Sequence, residues 1–237
     1  LLKVLNDFVR WVEQLPYASL DGIWLYRLEV LGIYIFLLLF LYYSKTRRFR
    51  NLVICFSCLL CLGIYHTVMR WYDRPCPSLV FYNVRGCPAI HCIAEDGTSW
   101  LNYADTLSDK RRLQAVAANY WRRHQLLPPI EVMADCQNVD FCRHQQIVFY
   151  HGCRICMVTD NRWRNKSAAS PLFINYMYLC KGYNGRLEEL TGLFSPSCIL
   201  LDASLSDDRK QLFRKECERL HLHFITLSEE GSVRFLL

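Results

Sequence analysis

Two long apolar stretches, residues 23–43 and 52–71, constrain what this chain can fold into more than any other feature. Each holds about 20 residues, the length at which an α-helix crosses a hydrocarbon core of roughly 30 Å. The loop between them, residues 44–51, carries four cations and no acid, and aromatic side chains flank both stretches where a lipid interface would lie. This pattern predicts a transmembrane hairpin, and two long buried helices of a soluble protein are the alternative.

The basic loop also predicts the orientation of that hairpin. Lysine and arginine are enriched in cytoplasmic loops of membrane proteins. Loop 44–51 is therefore expected in the cytoplasm, and residues 76–237 are expected on the extracytoplasmic face of the membrane. The lipid bilayer is the first partner that the sequence implies.

The segment before the hairpin has a different pattern. Residues 1–20 place apolar side chains on one helical face as far as Pro16, which predicts an amphipathic helix. Such a helix either lies in the membrane interface or packs on upstream helices of the same protein. Because the chain starts at Leu1 rather than at Met, we expect a C-terminal piece of a longer protein. The expected organisation is an interfacial helix at 1–20, a hairpin at 21–75 and one domain at 76–237.

The positive charge of the chain is concentrated near the hairpin. The net charge is +6; residues 1–75 carry nine Lys and Arg against five acids, and the other 162 residues carry 19 against 17. A domain with a net charge of +2 attracts a polyanion only weakly. The basic balance therefore indicates membrane association and is not in itself evidence of nucleic-acid binding.

Thirteen cysteines resemble a disulfide framework, but their spacing favours another interpretation. Cys55, Cys58 and Cys61 lie within an apolar helix, where cysteine acts as a small hydrophobic residue. Cys153 and Cys156 form a CxxC pair in a strand-like segment without a turn. Strand residues three positions apart point to opposite faces, so both thiolates cannot easily reach one zinc ion. We expect both to be core cysteines.

Residues 79–105 predict three strands, with one turn near Gly86 and another at Asp96-Gly97. The first turn has the sequence Asn83-Val84-Arg85-Gly86-Cys87-Pro88-Ala89. In this order of strands and turns the segment resembles the start of the metallo-β-lactamase-like domain at the C-terminus of ComEC-family DNA-uptake channel proteins. There the turn reads Asp-Val-Gly-Gln-Gly-Asp-Ala, so the shape is kept here while the acids are absent.

Later segments continue this resemblance. A helix at 105–127, stopped by Pro128-Pro129, precedes strands at 130–134 and 146–151. A helix at 187–194, a strand from Ser195, a helix at 207–220 and strands at 221–227 and 229–235 match the family's closing unit. The resemblance implies an α-helical transmembrane hairpin followed by an α/β (αββα-type) degenerate metallo-β-lactamase-like domain.

The departures from the family fall at its metal ligands. The family's His-x-His-x-Asp-His loop has no counterpart between Asp135 and His144, and Gly182-Tyr183-Asn184-Gly185 stands where the family has a His-His-Gly segment. Asp160 is kept at the end of the strand that in the family ends in Thr-Gly-Asp. Several imidazoles and carboxylates must converge to hold catalytic ions. We therefore expect no metal, no cofactor and no enzymatic activity.

The function that the resemblance implies is the uptake of single-stranded DNA through an inner-membrane channel during natural transformation. The basic and aromatic side chains of the soluble half that could contact DNA phosphates and bases are Arg111, Arg112, Arg122, Arg123, Trp121, Arg162, Trp163, Arg164 and Lys166. Interleaved arginines on a helix are also typical of a solvated face. Single-stranded DNA, the upstream channel helices and a second copy of the chain are the partners considered.

Two alternatives stay open. The first is a residual metal-dependent nuclease, for which the candidate ligands are Asp160, Asp105, His144 and His223; His221 and His223 would share one face of the strand predicted at 221–227. The second is a purely structural domain that assembles the channel and does not contact DNA. Loss of most ligands removes most of the affinity for a catalytic ion, which disfavours the nuclease.

Overall fold

The chain folds into two compact units that divide after Asp73. The computed structural model describes residues 24–103, 110–132, 134–138 and 140–237. The predicted interfacial helix at 1–20 and the candidate ligand Asp105 lie outside the described residues.

The first unit contains two long apolar helices, α1 (Arg27–Thr46) and α2 (Phe49–Tyr72). Both are long and apolar enough to cross a membrane, and only 6% of each apolar window is buried inside the protein. Core helices of soluble proteins are mostly buried, so this exposure favours the membrane interpretation. The two predicted apolar helices are confirmed.

A polar cluster joins the two helices near the start of α1 and the end of α2. The carboxylate of Glu29 is buried, at 3% exposure, and its Oε1 lies 2.7 Å from Nδ1 of His66. The backbone N–H of Tyr26 donates to Oε2 of Glu29, and the Tyr26 hydroxyl donates to Asp73. These partners offset part of the cost of burying a carboxylate between apolar helices.

The second unit, Arg74–Leu237, contains two mixed sheets. The strands of the first sheet are β1 (Ser78–Phe81), β2 (Ala89–Ile93), β3 (Ser99–Tyr103), β4 (Ile130–Val132) and β12 (Val233–Leu236). Their spatial order is β12-β1-β2-β3-β4. All neighbouring pairs are antiparallel except β3 and β4, which are parallel.

The second sheet has the order β11-β10-β9-β8-β7-β6-β5. Its strands are β5 (Cys136–Gln137), β6 (Phe141–His144), β7 (Ile147–Tyr150), β8 (Cys153–Val158), β9 (Leu172–Leu179), β10 (Phe194–Leu201) and β11 (Phe224–Thr226). Strands β8 to β11 run parallel to one another, whereas β5 to β8 pair in antiparallel fashion. The carboxyl ends of β8, β9 and β10 therefore meet at one edge of the sheet.

The two sheets pack face to face, because alternate strand residues belong to different cores. Leu79 and Phe81 of β1 share a buried cluster with Tyr178 of β9, whereas Val80 points to the opposite face of its sheet. Helix α3 (Lys110–Arg123) covers that outer face through Leu113 and other residues. Helices α4 (Leu187–Thr191) and α5 (Asp207–Arg219) cover the outer face of the second sheet. The layers are therefore helix, sheet, sheet, helix.

Most predicted elements of this mixed α/β domain are present, with corrections near their ends. The helix predicted at 187–194 ends at Thr191 because β10 already begins at Phe194. The strand predicted at 221–227 is limited to β11 and is followed by a short helix, α6 (Leu227–Glu230). The segment between Asp135 and His144, for which the sequence indicated no element, contains β5 and β6.

Candidate functional site

A polar cavity of about 860 Å³ opens at the carboxyl ends of β9 and β10. In open α/β sheets this edge is where ligands bind most often. We call this cavity the basic pocket. Its lining residues come from the β1–β2 turn, the loops after β9 and β10, the start of α5 and α6: Asn83, Arg85, Gly86, Lys181, Gly182, Tyr183, Asn184, Ala203, Ser204, Leu205, Ser206, Asp207, Arg209, Lys210 and Ser228.

The charge of the basic pocket is strongly positive. Its lining contains four cations, Arg85, Lys181, Arg209 and Lys210, and one carboxylate, Asp207. The difference, +3, exceeds the +2 carried by residues 76–237 as a whole. Low-dielectric walls around charges of one sign focus the field, so the pocket attracts anions and repels metal cations.

A buried hydrogen-bond chain fixes the floor of the pocket. The hydroxyl of Tyr178 donates to the buried carboxylate of Asp202, which also accepts from the backbone N–H of Ser204 at 2.7 Å. The hydroxyl of Ser204 in turn accepts from the backbone N–H of Lys181 at 3.1 Å. Burial raises the pKa of Asp202, although the hydrogen bonds from Ser204 and Tyr178 act in the opposite direction. The chain ties the loop after β9 to the loop after β10.

Gly182 brings a third loop against the pocket. Its φ is +117°, and a Cβ built on it would lie 2.2 Å from the carbonyl oxygen of Thr159. The backbone N–H of Asn184 donates to Oδ1 of Asn161 at 2.8 Å. The loop after β8, which carries Asp160, therefore contacts the wall of the pocket.

The structure thus brings together three segments that the sequence singled out: the turn at 83–89, the end of β8 at Asp160 and the turn at 182–185. Asn83, Gly182 and Asn184 line the pocket, and Asp160 lies in the adjacent loop. Asp160 accepts from the guanidinium of Arg162 at 2.9 Å, which holds its pKa below the usual value despite partial burial.

The other candidate metal ligands are dispersed. His144 pairs with Asp135 at 3.0 Å, and Nδ1 of His223 lies 3.2 Å from the thiol of Cys198. The interpretation of His221 and His223 as one face of a strand is wrong, because β11 begins at Phe224 and His221 has a φ of +53°. Within the described residues, His, Cys, Asp and Glu form no group of three or more that could hold a metal ion.

Trp121 belongs to a hydrogen-bond network on the outer face of the first sheet. An indole N–H can only donate, so Trp121 donates to the Tyr82 hydroxyl at 2.8 Å, and the same hydroxyl shares a hydrogen bond with Nδ1 of His91, also at 2.8 Å. His91 is completely buried, and burial lowers its pKa to about 3. The network explains the position of Trp121 without a nucleic acid, and its role in base stacking stays a prediction.

The remaining basic candidates form two separate groups. Arg111, Arg112, Arg122 and Arg123 are exposed on α3, outside the first sheet. Arg164 lies 3.9 Å from Glu189 of α4, on the helix-covered side of the second sheet. There Lys166 lies over the ring of Trp163, which packs edge-on against Phe194. The two groups lie on opposite sides of the layered domain and do not form one surface.

Sequence reasoning missed the cations of the basic pocket. Arg85 lies within the turn at 83–89 and Lys181 directly precedes the turn at 182–185, two segments that the family resemblance marks by their missing acids and histidines. Arg209 and Lys210 lie in the first turns of α5, directly after β10. The tendency of ligands to bind at the carboxyl ends of parallel strands was the signal that could have identified them.

Comparison with known protein families finds one family for the second unit of the chain. The family model of the ComEC C-terminal domain matches residues 79–237. The chain therefore belongs to the ComEC family, which is membrane-associated and takes up DNA in competence. No curated protein and no solved structure matches the chain.

Proposed function

We propose that this chain is the C-terminal part of a ComEC-like inner-membrane channel for single-stranded DNA, with a domain that binds the incoming strand and does not hydrolyse it. The hairpin crosses the membrane with loop 44–51 in the cytoplasm, and residues 76–237 lie on the extracytoplasmic face. The exposed arginines of α3 and of the 162–166 loop supply additional contacts with DNA phosphates.

One observation carries this proposal: segments where the family bears metal ligands converge on a pocket lined by four cations and a single carboxylate, Asp207. Asn83 stands where the family has an acid, the turn at 182–185 stands where it has two histidines, and Arg85 and Lys181 line the pocket beside them. A site with an excess of fixed positive charge disfavours a divalent cation and favours a phosphate. The same cavity is therefore suited to binding DNA without cleaving it.

The layer order supports the finer assignment of the fold. Two sheets packed face to face, with helices on both outer faces, are the αββα arrangement that the family resemblance implies. The carboxyl ends of β8 and β9 carry two of the three landmark loops on one edge of the second sheet, and the β1–β2 turn of the first sheet lines the same pocket. We propose on this basis that the domain is a degenerate member of the metallo-β-lactamase-like fold.

The full chain, reconstituted in phospholipid nanodiscs, tests the absence of catalysis. We expect elemental analysis to find no stoichiometric metal, and we expect a labelled single-stranded oligonucleotide to stay intact in added manganese or zinc. Stoichiometric metal together with cleavage would establish the residual nuclease instead. Intact protein that binds no single-stranded DNA at low salt would leave only the structural role.

A further inference from the structure

We propose that the basic pocket binds a backbone phosphate of single-stranded DNA, and that Lys181 and Arg85 are the residues that contact it. The inference rests on the proposed function, since it names the place where the strand is held. It differs from the arginine surfaces identified in the sequence, which lie on the two outer sides of the domain.

The four cations of the pocket fall into two classes. Arg209 donates to the carbonyl oxygens of Tyr183 and Gly185 at 3.0 and 2.9 Å, and its guanidinium stacks on Phe213. Lys210 lies 3.4 Å from Asp207. These two cations are engaged in holding the loop after β9 and the first turn of α5.

Lys181 and Arg85 are in a different position. Both are exposed, and within the described residues neither the ammonium of Lys181 nor the guanidinium of Arg85 has an acidic or hydrogen-bonding partner. The backbone of Lys181 is nevertheless fixed by its bond to Ser204. A fixed backbone with an unpaired cation at the mouth of a cavity is prepared to bind an external anion.

The pocket offers further support for an anion. Ser206 occupies the N-cap position of α5, a helix of 13 residues, and lines the cavity together with Asp207. The N-terminus of a helix carries partial positive charge, which adds to that of the lysine and arginine. The volume of the basic pocket, about 860 Å³, falls in the range of roughly 300–1,000 Å³ that is usual for ligand sites.

The lining also indicates which part of DNA is recognised. Its one aromatic residue is Tyr183, which is 1% exposed and therefore offers no ring face for base stacking. Cations without a stacking platform contact phosphates and carry no base specificity. We therefore expect oligothymidine and oligodeoxyadenosine to bind the pocket with similar affinity.

The test compares two double variants of the full chain in phosphatidylcholine nanodiscs. Lys181→Glu/Arg85→Glu removes both proposed contacts, and Lys215→Glu/Arg154→Glu makes the same charge change at exposed positions outside the pocket. Fluorescence anisotropy of labelled oligothymidine gives Kd at several salt concentrations. We expect the pocket variant to bind on the order of tenfold more weakly, with a log–log salt slope shallower by about 0.7, because that is the contribution of one phosphate contact to a single strand. The matched control should stay near the wild type.

The outcomes separate this inference from the proposed function. If the wild type binds and both double variants weaken equally, or neither weakens, the pocket is not the binding site and the inference fails alone. If the wild type does not bind, the proposed function itself fails. In a second arm, nanodiscs with phosphatidylglycerol should leave the difference between the variants intact. Loss of that difference would show that the pocket takes a lipid headgroup instead.

Discussion

Gly182 links the loop after β8 to the basic pocket, and the structure gives a reason why no other residue fits. Its φ of +117° is unfavourable for any side chain, and a Cβ would overlap the carbonyl of Thr159 at 2.2 Å. Backbone cannot move aside as a flexible side chain can. The pocket wall therefore depends on the absence of one methyl group.

We predict that Gly182→Ala lowers the free energy of unfolding on the order of 3 kcal/mol, because backbone strain and steric overlap add together. Gly152→Ala is the matched control: Gly152 has a φ of +77° with open space around its Cβ position, so it should cost only about 1 kcal/mol. Denaturant unfolding of the full chain measures both. Equal losses would contradict the close approach of Gly182 to Thr159.

His91 makes the stability of the domain depend on pH. Because burial lowers its pKa to about 3 from an ordinary value of 6.5, the unfolded chain takes up a proton first as the pH falls. The stability that this histidine contributes is therefore complete above pH 6.5 and is lost progressively towards pH 3.

We predict that His91→Gln loses less stability than the wild type between neutral and acidic pH. Glutamine can still accept from the Tyr82 hydroxyl but does not titrate. Thermal unfolding over a pH series measures the difference between the two proteins. If the Tm of the variant fell with acid as much as that of the wild type, groups other than His91 would determine the pH dependence of stability.

The roles of individual residues were the least accessible to sequence reasoning. The sequence showed that Asn83 and Gly182–Gly185 replace acids and histidines, since residue identity can be read directly. It did not show that Arg85 and Lys181 share a pocket, because they lie in loops separated by almost a hundred residues. Their proximity arises from the pairing of strands, which no local pattern encodes.

At the scale of elements, the CxxC pair illustrates a prediction from strand periodicity. Cys153 packs against the core between the sheets, and Cys156 belongs to the cluster under α4 and α5. Both lie on β8, three positions apart, so their side chains point to opposite faces. The expectation that both are core cysteines agrees with these positions.

We predict that Cys153 and Cys156 are free thiols that react slowly. Burial raises the pKa of Cys156 to about 12 and also raises that of Cys153, and the thiolate is the reactive form. Mass spectrometry after alkylation of the native full chain should show both thiols modified only on unfolding, with exposed Cys76 modified first. A disulfide-linked Cys153–Cys156 peptide would contradict this prediction. So would zinc bound to the wild type and absent from the Cys153→Ser variant.

The elements themselves were largely predictable, and their ends were not. Apolar length predicted α1 and α2, and the turn residues at Gly86 and Asp96-Gly97 separated β1, β2 and β3. The hairpin of β5 and β6 was missed because Cys136–Gln137 is too short to show a periodicity. The strand at 221–227 was predicted too long because Leu222 and Phe224 alternate with His221 and His223, although β11 begins only at Phe224.

At the scale of the whole molecule, the net charge of residues 76–237 does not reveal the local positive charge of the basic pocket. Residues 76–237 carry a net charge of +2, which argued against attraction of a polyanion, yet the basic pocket alone concentrates +3 at one edge of a sheet. Balancing acids lie elsewhere on the domain. The topology, which places the loops after β9 and β10 beside the β1–β2 turn, therefore decides where an anion can bind.

Binding of single-stranded DNA by the full chain at two salt concentrations tests the central claim most directly. We predict that the reconstituted wild type binds labelled oligothymidine at low salt, releases it as salt rises, and returns it uncleaved. Binding that does not change with salt would contradict recognition of the phosphate backbone. Failure to bind at low salt, or cleavage of the bound strand, would contradict the account of a DNA-binding domain without hydrolytic activity.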